Sequence, residues 1–110
     1  MVRVKICGIT NLKDAQAALD CGCDALGFVF YKKSQRYISP GKAKEIITQL
    51  PRKIRKVGVF VNAPVNRVKK IAKLCRLDML QFHGNETPQY CRRFKGSKTI
   101  KAFRLSLIHI

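Results

Sequence analysis

Several absences narrow what this sequence can be. No apolar run approaches the roughly 20 residues that a membrane span requires. The opening Met1-Val2-Arg3-Val4-Lys5 lacks the apolar stretch of a secretory signal. Both point to a soluble, cytoplasmic protein. No G-x-G-x-x-G follows the first apolar run, and no G-x-x-x-x-G-K-[ST] occurs, so dinucleotide and P-loop readings lose support. The cysteines, Cys7, Cys21, Cys23, Cys75 and Cys91, number five, an odd count that suits reduced thiols better than a disulfide framework. Cys21-Gly22-Cys23 has no second ligand pair at zinc-type spacing, and His83 and His109 stand in unrelated contexts, so no metal is expected.

Acids are scarce as well. Six Asp and Glu stand against 23 Lys and Arg, a formal net charge of +17 that draws anions and favours non-specific polyanion contact. The basic residues are dispersed: Lys32-Lys33, Lys42 and Lys44, Arg52 to Lys56, Arg67 to Lys73, Arg92-Arg93. A single-stranded nucleic-acid platform interleaves aromatics with charge. Here Phe28, Phe30, Phe60 and Phe82 lie inside apolar runs, so the charge reads as solvated helix surface, with no specific nucleic acid expected.

What is present is a globular composition, 46% hydrophobic, in 110 residues: one domain at most, or a piece of one. Five strand-like runs occur at Val2–Cys7, Ala25–Tyr31, Val57–Asn62, Met79–His83 and Thr99–Phe103. Helical patterns separate them. Asn11 caps one that carries Leu12, Ala15, Ala18 and Leu19 and stops at Gly22. Ser39-Pro40 opens a second through Ala43, Ile46, Ile47 and Leu50, closed by Pro51. Pro64 opens a third with a Val65, Val68, Ile71, Ala72, Cys75 stripe. Thr87-Pro88 starts a fourth, shorter helix that closes near Gly96. "LGFVF" (26–30) and "VGVFV" (57–61) share an apolar-Gly-apolar phrase at the same place in their strands.

The β-α alternation with near-continuous apolar strands predicts a parallel α/β fold covered by helices. Periodicity leaves a (β/α)8 barrel and a flavodoxin-like sheet both open. In either, chemistry collects at the C-terminal strand ends. Those ends hold Cys7, Tyr31 with the loop to Tyr37, Asn62, and Gln81 with His83. Cys7 is then either a small packed thiol or a thiol at the mouth of a cleft.

"KICGIT" (5–10), "LGFVFYKKSQRYISP" (26–40), "VGVFVN" (57–62) and "QFHGNE" (81–86), in this order and spacing, resemble the phosphoribosylanthranilate isomerase family of tryptophan biosynthesis, from Met1 to about Arg104. The resemblance implies a (β/α)8 barrel, of which residues 1–104 would be the first four βα units and a fifth strand. It implies an Amadori rearrangement of N-(5-phosphoribosyl)anthranilate, a small anionic substrate, by one general acid and one general base without a cofactor. The family's base falls on Cys7, with a pKa expected to be lowered by positive surroundings. Arg36 falls on the family's contact to the anthranilate carboxylate. Gln81 and His83 fall on the pocket lining, and Gly8 on a position where a side chain would crowd the base.

The family's general acid, at the end of a sixth strand, and its phosphate loops, after strands seven and eight, have no counterpart here. None of Asp14, Asp20, Asp24, Glu45, Asp78 or Glu86 matches the acid position. Residues 105–110, "LSLIHI", carry no cap or turn signal and read as a truncated or foreign end. An inactive fragment with open sheet edges, prone to self-association, is the expectation. The alternative from another class is a basic, non-catalytic α/β module for an anionic partner such as nucleic acid.

Overall fold

The computed structural model describes residues 4–94 and the backbone of 101–104; Val2, Arg3, Thr99, Ile100, the stop near Gly96, His109 and the 105–110 end lie outside the described residues. Nine elements alternate: β1 (Lys5–Cys7), α1 (Leu12–Asp20), β2 (Ala25–Val29), α2 (Pro40–Ile47), β3 (Arg55–Phe60), α3 (Val65–Cys75), β4 (Met79–Phe82), α4 (Pro88–Arg92) and β5 (Lys101–Arg104). All neighbouring strands pair in parallel, in the order β1-β2-β3-β4-β5.

Sequential order is what separates the two folds that periodicity leaves open. A doubly wound sheet reverses its strand order and lays helices on both faces. Here the chain steps one strand at a time in one direction. The buried residues of α1 (Ala15, Ala18), α2 (Ala43, Ile46, Ile47) and α3 (Val68, Ile71, Ala72, Cys75) join Leu26, Phe28, Phe60, Leu80 and Phe82 in a single cluster. All the helices therefore cover one face, as in an arc of a (β/α)8 barrel.

The helix starts follow local chemistry. Asn11 Oδ1 accepts from the Asp14 N–H at 2.8 Å, Ser39 Oγ from Lys42 at 3.3 Å, and Thr87 Oγ1 from Tyr90 at 3.1 Å. Each satisfies an amide that the first helical turn leaves open. Pro64 starts α3 without a side-chain cap. At the opposite ends of the strands two acids repeat one role. Asp24 Oδ2 accepts from the Val4 N–H at 3.0 Å and Asp78 Oδ2 from the Lys56 N–H at 2.8 Å, fastening β1 to β2 and β3 to β4.

The register corrects the reading of the two glycine phrases. Gly27 pairs with Val57, and Gly58 pairs with Phe28, so the phrases are offset by one residue. Strand side chains alternate faces, which puts the two glycines on opposite sides of the sheet. Gly58 lies on the helix-covered side: a Cβ there would come within 2.5 Å of Leu77 Cδ1 and 2.9 Å of Phe60 Cε2. Gly27 lies on the other side, beside Cys7. No helix among the described residues is long and apolar enough to cross a membrane.

Candidate functional site

Lys5 and Cys7 are two residues apart in β1, so both side chains leave the sheet on its helix-free face. Cys7 pairs in register with Gly27, and a Cβ on Gly27 would lie 2.7 Å from Cys7 Sγ. The missing side chain gives the thiol its room. Cys7 is half-buried and unbonded to any other cysteine. Burial pushes its pKa up. The Lys5 ammonium, the Gly8 N–H and the Arg36 guanidinium each pull it down without overcoming that cost. The expectation of a lowered pKa is thus corrected: the positive surroundings are in place, but desolvation outweighs them.

Arg36 reaches the same strand end from the loop after β2. Its backbone N–H donates to Ser34 Oγ at 3.1 Å, and its Nη1 donates to the Cys7 carbonyl at 3.4 Å. Gly8 makes the approach possible. It takes φ +87°, a left-handed conformation that L side chains rarely adopt, and a Cβ there would strike Arg36 Cδ and sit 3.1 Å from Nη1. A side chain at Gly8 would therefore crowd the arginine. An open cleft of about 540 Å³ runs from Cys7, Gly8, Thr10 and Arg36 down the α1 side of β1, past Ile6, Asp14, Ala18 and Cys21.

From β4, Gln81 enters fully buried on the helix-free face. Lys5 Nζ donates to Gln81 Oε1 across the two intervening strands. Side chains stand roughly perpendicular to a sheet, so those of β1 and β4 converge when the sheet curls as a barrel wall does. Gln81 Nε2 lies 2.6 Å from His83 Nε2. An ammonium only donates, so it fixes the amide oxygen toward Lys5 and the amide N–H toward the imidazole. His83 Nε2 is then the acceptor, and its ring proton belongs on Nδ1.

A second rim cluster joins the loops after β3 and β4. Glu86 Oε2 accepts from the Asn62 N–H at 2.7 Å, Asn62 Oδ1 accepts from the Asn85 N–H at 2.8 Å, and Tyr90 Oη donates to the Ala63 carbonyl at 2.5 Å. Asn62 takes φ +49°, tolerable for a residue whose short amide bonds nearby backbone. Tyr31, also at a strand end, is half-buried at the start of the Arg36 loop.

Cys7, Arg36, Gln81 and His83 therefore gather at one end of the sheet. Cys21 is exposed at the end of α1 while Cys23 is buried, and no group of three or more His, Cys, Asp or Glu side chains gathers among the described residues. Sequence reasoning missed Lys5 and Gly27. The signal for Lys5 is its spacing of two from Cys7, which puts both on one face of the strand. Gly27 gave only its place in an apolar strand.

Comparison with known proteins follows the same lines. Residues 4–108 match the family model described as "N-(5'phosphoribosyl)anthranilate (PRA) isomerase". An N-(5'-phosphoribosyl)anthranilate isomerase of Syntrophus aciditrophicus is 50% identical over 102 residues, 93% of this chain and 44% of that protein. The crystal structure of a phosphoribosyl anthranilate isomerase in complex with reduced 1-(o-carboxyphenylamino)-1-deoxyribulose 5-phosphate superposes with a TM-score of 0.88 at 46% identity, covering 94% of this chain and 53% of that one. The phosphoribosyl anthranilate isomerase of Thermotoga maritima gives the same TM-score of 0.88 and 46% identity, covering 94% and 50%. The chain spans about half the length of the curated relatives it matches.

Proposed function

The chain belongs to the phosphoribosylanthranilate isomerase family, and on that premise we propose that residues 1–104 form the N-terminal portion of a (β/α)8 barrel that isomerises N-(5-phosphoribosyl)anthranilate to 1-(2-carboxyphenylamino)-1-deoxyribulose 5-phosphate. In that reaction a proton is delivered to the ring oxygen as the sugar opens, and another leaves the adjacent sugar carbon. Cys7 is the general base for the second transfer. Arg36 takes the anthranilate carboxylate in its planar fork of donors. Gln81 and His83 line the pocket, and Gly8 keeps the arginine's path clear. No cofactor enters. The general acid and the phosphate grip come from outside these residues, so the 110-residue chain alone does not turn over. Its unpaired β1 edge, with Val4 48% and Ile6 38% exposed, favours self-association until the rest of a barrel covers it.

The observation that carries this reading is Arg36 Nη1 bonded to the carbonyl of Cys7 itself: a guanidinium fork and a thiol share one strand end. The test joins the chain to the C-terminal half of a family relative and measures isomerase turnover. The chimera is expected to be active. Cys7→Ser lowers the rate by on the order of 10²- to 10⁴-fold, because a hydroxyl is a far poorer proton acceptor near neutral pH. Cys21→Ser and Cys91→Ser leave it nearly unchanged. A fully active Cys7→Ser chimera would make Cys7 a packed strand-end thiol instead.

A further inference from the structure

We propose that Lys5 is the positioning residue of the Cys7 base: held by Gln81 on the helix-free face, its ammonium supplies the counter-charge that keeps the thiolate within reach. This rests on the reading of Cys7 as the base. Three observations lead to it. Lys5 and Cys7 point the same way from consecutive turns of one pleat, separated by about 7 Å of strand. The acceptor that holds Lys5 Nζ is a neutral amide oxygen, not an acid, so the positive charge is anchored without being cancelled. That amide is itself locked, because it is fully buried and its nitrogen end is engaged with His83.

The chain His83–Gln81–Lys5 therefore fixes a cation under the thiol. Burying a lysine next to a neutral partner is costly, and burial indeed draws the Lys5 pKa down while Cys7 draws it up. The groups that face Cys7 are Lys5 from its own strand, the uncharged Gly27 from β2, the Gly8 N–H and the Arg36 guanidinium from the rim. Arg36 is committed to a substrate carboxylate in the proposed reaction, which leaves Lys5 as the cation that stays with the thiolate throughout. When Cys7 takes the substrate's proton, an S–H bond forms as the C–H bond breaks, and the electron pair remains on the substrate. Lys5 gives up no proton in the step.

The test reads Cys7 alkylation by iodoacetamide in the 110-residue chain from pH 7 to about pH 11, resolved by peptide mass spectrometry. The other four cysteines serve as internal references. Lys5→Met is expected to move the Cys7 inflection about one unit upward and slow alkylation about tenfold below it. Lys5→Arg, which keeps the charge, restores the rate to within about threefold, which a merely structural role would not produce. Should Lys5→Met fail to fold, Gln81→Glu tests the same idea with Lys5 in place. A carboxylate facing the ammonium cancels its charge and moves the inflection upward too. An unmoved Cys7 inflection in folded Lys5→Met, or in Gln81→Glu, overturns the proposal. So does a Lys5→Arg that behaves like Lys5→Met. The isomerase reading fails separately: a Cys7→Ser chimera that retains full turnover removes the base while leaving the alkylation shift standing. A Cys7-dependent chimera whose pH profile ignores Lys5→Met removes the Lys5 role alone.

Discussion

Gln81 and Phe82 are adjacent in β4, both are fully shielded from solvent, and they face opposite sides of the sheet. Phe82 enters the helix-covered side, where its ring lies 5.2 Å from Phe94, 5.3 Å from Tyr90 and 6.4 Å from Phe60. Gln81 enters the other side and meets an ammonium and an imidazole. One side is held by non-directional burial of apolar surface, which tolerates many arrangements of the same volume. The other is held by bonds that each require a particular donor facing a particular acceptor. Alternation along a strand thus lets each short segment serve two purposes: one face keeps the arc folded, and its reverse presents chemistry.

The two faces are expected to differ most at this pair. Phe82→Ala removes a ring from the aromatic cluster and leaves a cavity, at a cost of about 3–5 kcal/mol. That is much of the stability of a small domain, so urea unfolding is expected to show a collapsed or missing transition. Gln81→Leu keeps the burial but removes the acceptor that holds the Lys5 ammonium, for about 1–3 kcal/mol. Its larger effect falls on Cys7, whose alkylation profile shifts while circular dichroism stays native. Equal destabilisation by the two changes would mean that the helix-free face is ordinary core.

The glycines sharpen the same contrast without touching a polar group. Gly58→Ala pushes a methyl into Leu77 and Phe60 on the packed side, where nothing has room to move, and is expected to cost about 1–3 kcal/mol by urea titration. Gly27→Ala pushes its methyl toward Cys7 on the open side, where a change of rotamer relieves the 2.7 Å approach to Sγ and leaves the 3.2 Å contacts to Cα and Cβ. The expected result is a smaller stability loss, about 1 kcal/mol, with a several-fold change in Cys7 alkylation. Gly58→Ala leaves that alkylation alone. If Gly27→Ala proves the more destabilising of the two with Cys7 unaffected, the two sides have been assigned the wrong way round.

What was legible in the sequence is what is local. Asn11, Ser39-Pro40 and Thr87-Pro88 announced helix starts because an N-cap is settled within four residues. Gly22, at φ +85°, announced the end of α1, whereas α3 ends on Arg76 at φ +55°, a non-glycine residue in a conformation that sequence does not advertise. Strand extents were less legible, since β3 begins at Arg55 by pairing with Ala25 thirty residues away, and the apolar pattern starts only at Val57. The same holds at the candidate site. Cys7, Arg36, Gln81 and His83 stood in recognisable phrases, but the cation bonded to Gln81 is Lys5, 76 residues distant in sequence. The direction of the Cys7 shift was missed for a related reason: a list of nearby cations carries no record of how much water the fold removes.

The smallest expected effect concerns the thiols on the two faces, and it turns on sign. Cys75 lies in α3, buried against the packed side, with its Sγ donating to the Pro40 carbonyl at 3.4 Å. Burial pushes its pKa from an ordinary 9.0 up to about 11, against a weak downward pull from Lys44. Below pH 9 folded and unfolded chains both keep this proton, and its contribution to stability is fully present. Between pH 9 and 11 the unfolded chain releases the proton while the folded chain holds it, so stability falls as pH rises. At pH 10 the loss from this one group amounts to about 1 kcal/mol. Tyr90, raised to about 12 by burial and by Glu86, adds its own alkaline loss, but it is common to the parent and to thiol variants and cancels between them. The parent is therefore expected to lose about 1 kcal/mol relative to Cys75→Ala between pH 8 and pH 10, as read by urea midpoints. Cys7 is raised by burial too, so it has the same sign, but Lys5, the Gly8 N–H and Arg36 oppose the rise. The corresponding difference for Cys7→Ala is expected to be smaller. Parallel pH curves for the parent and Cys75→Ala would show that water reaches the thiol in the packed side, and equal slopes for the two alanine variants would show that the cations on the open side do not act on Cys7.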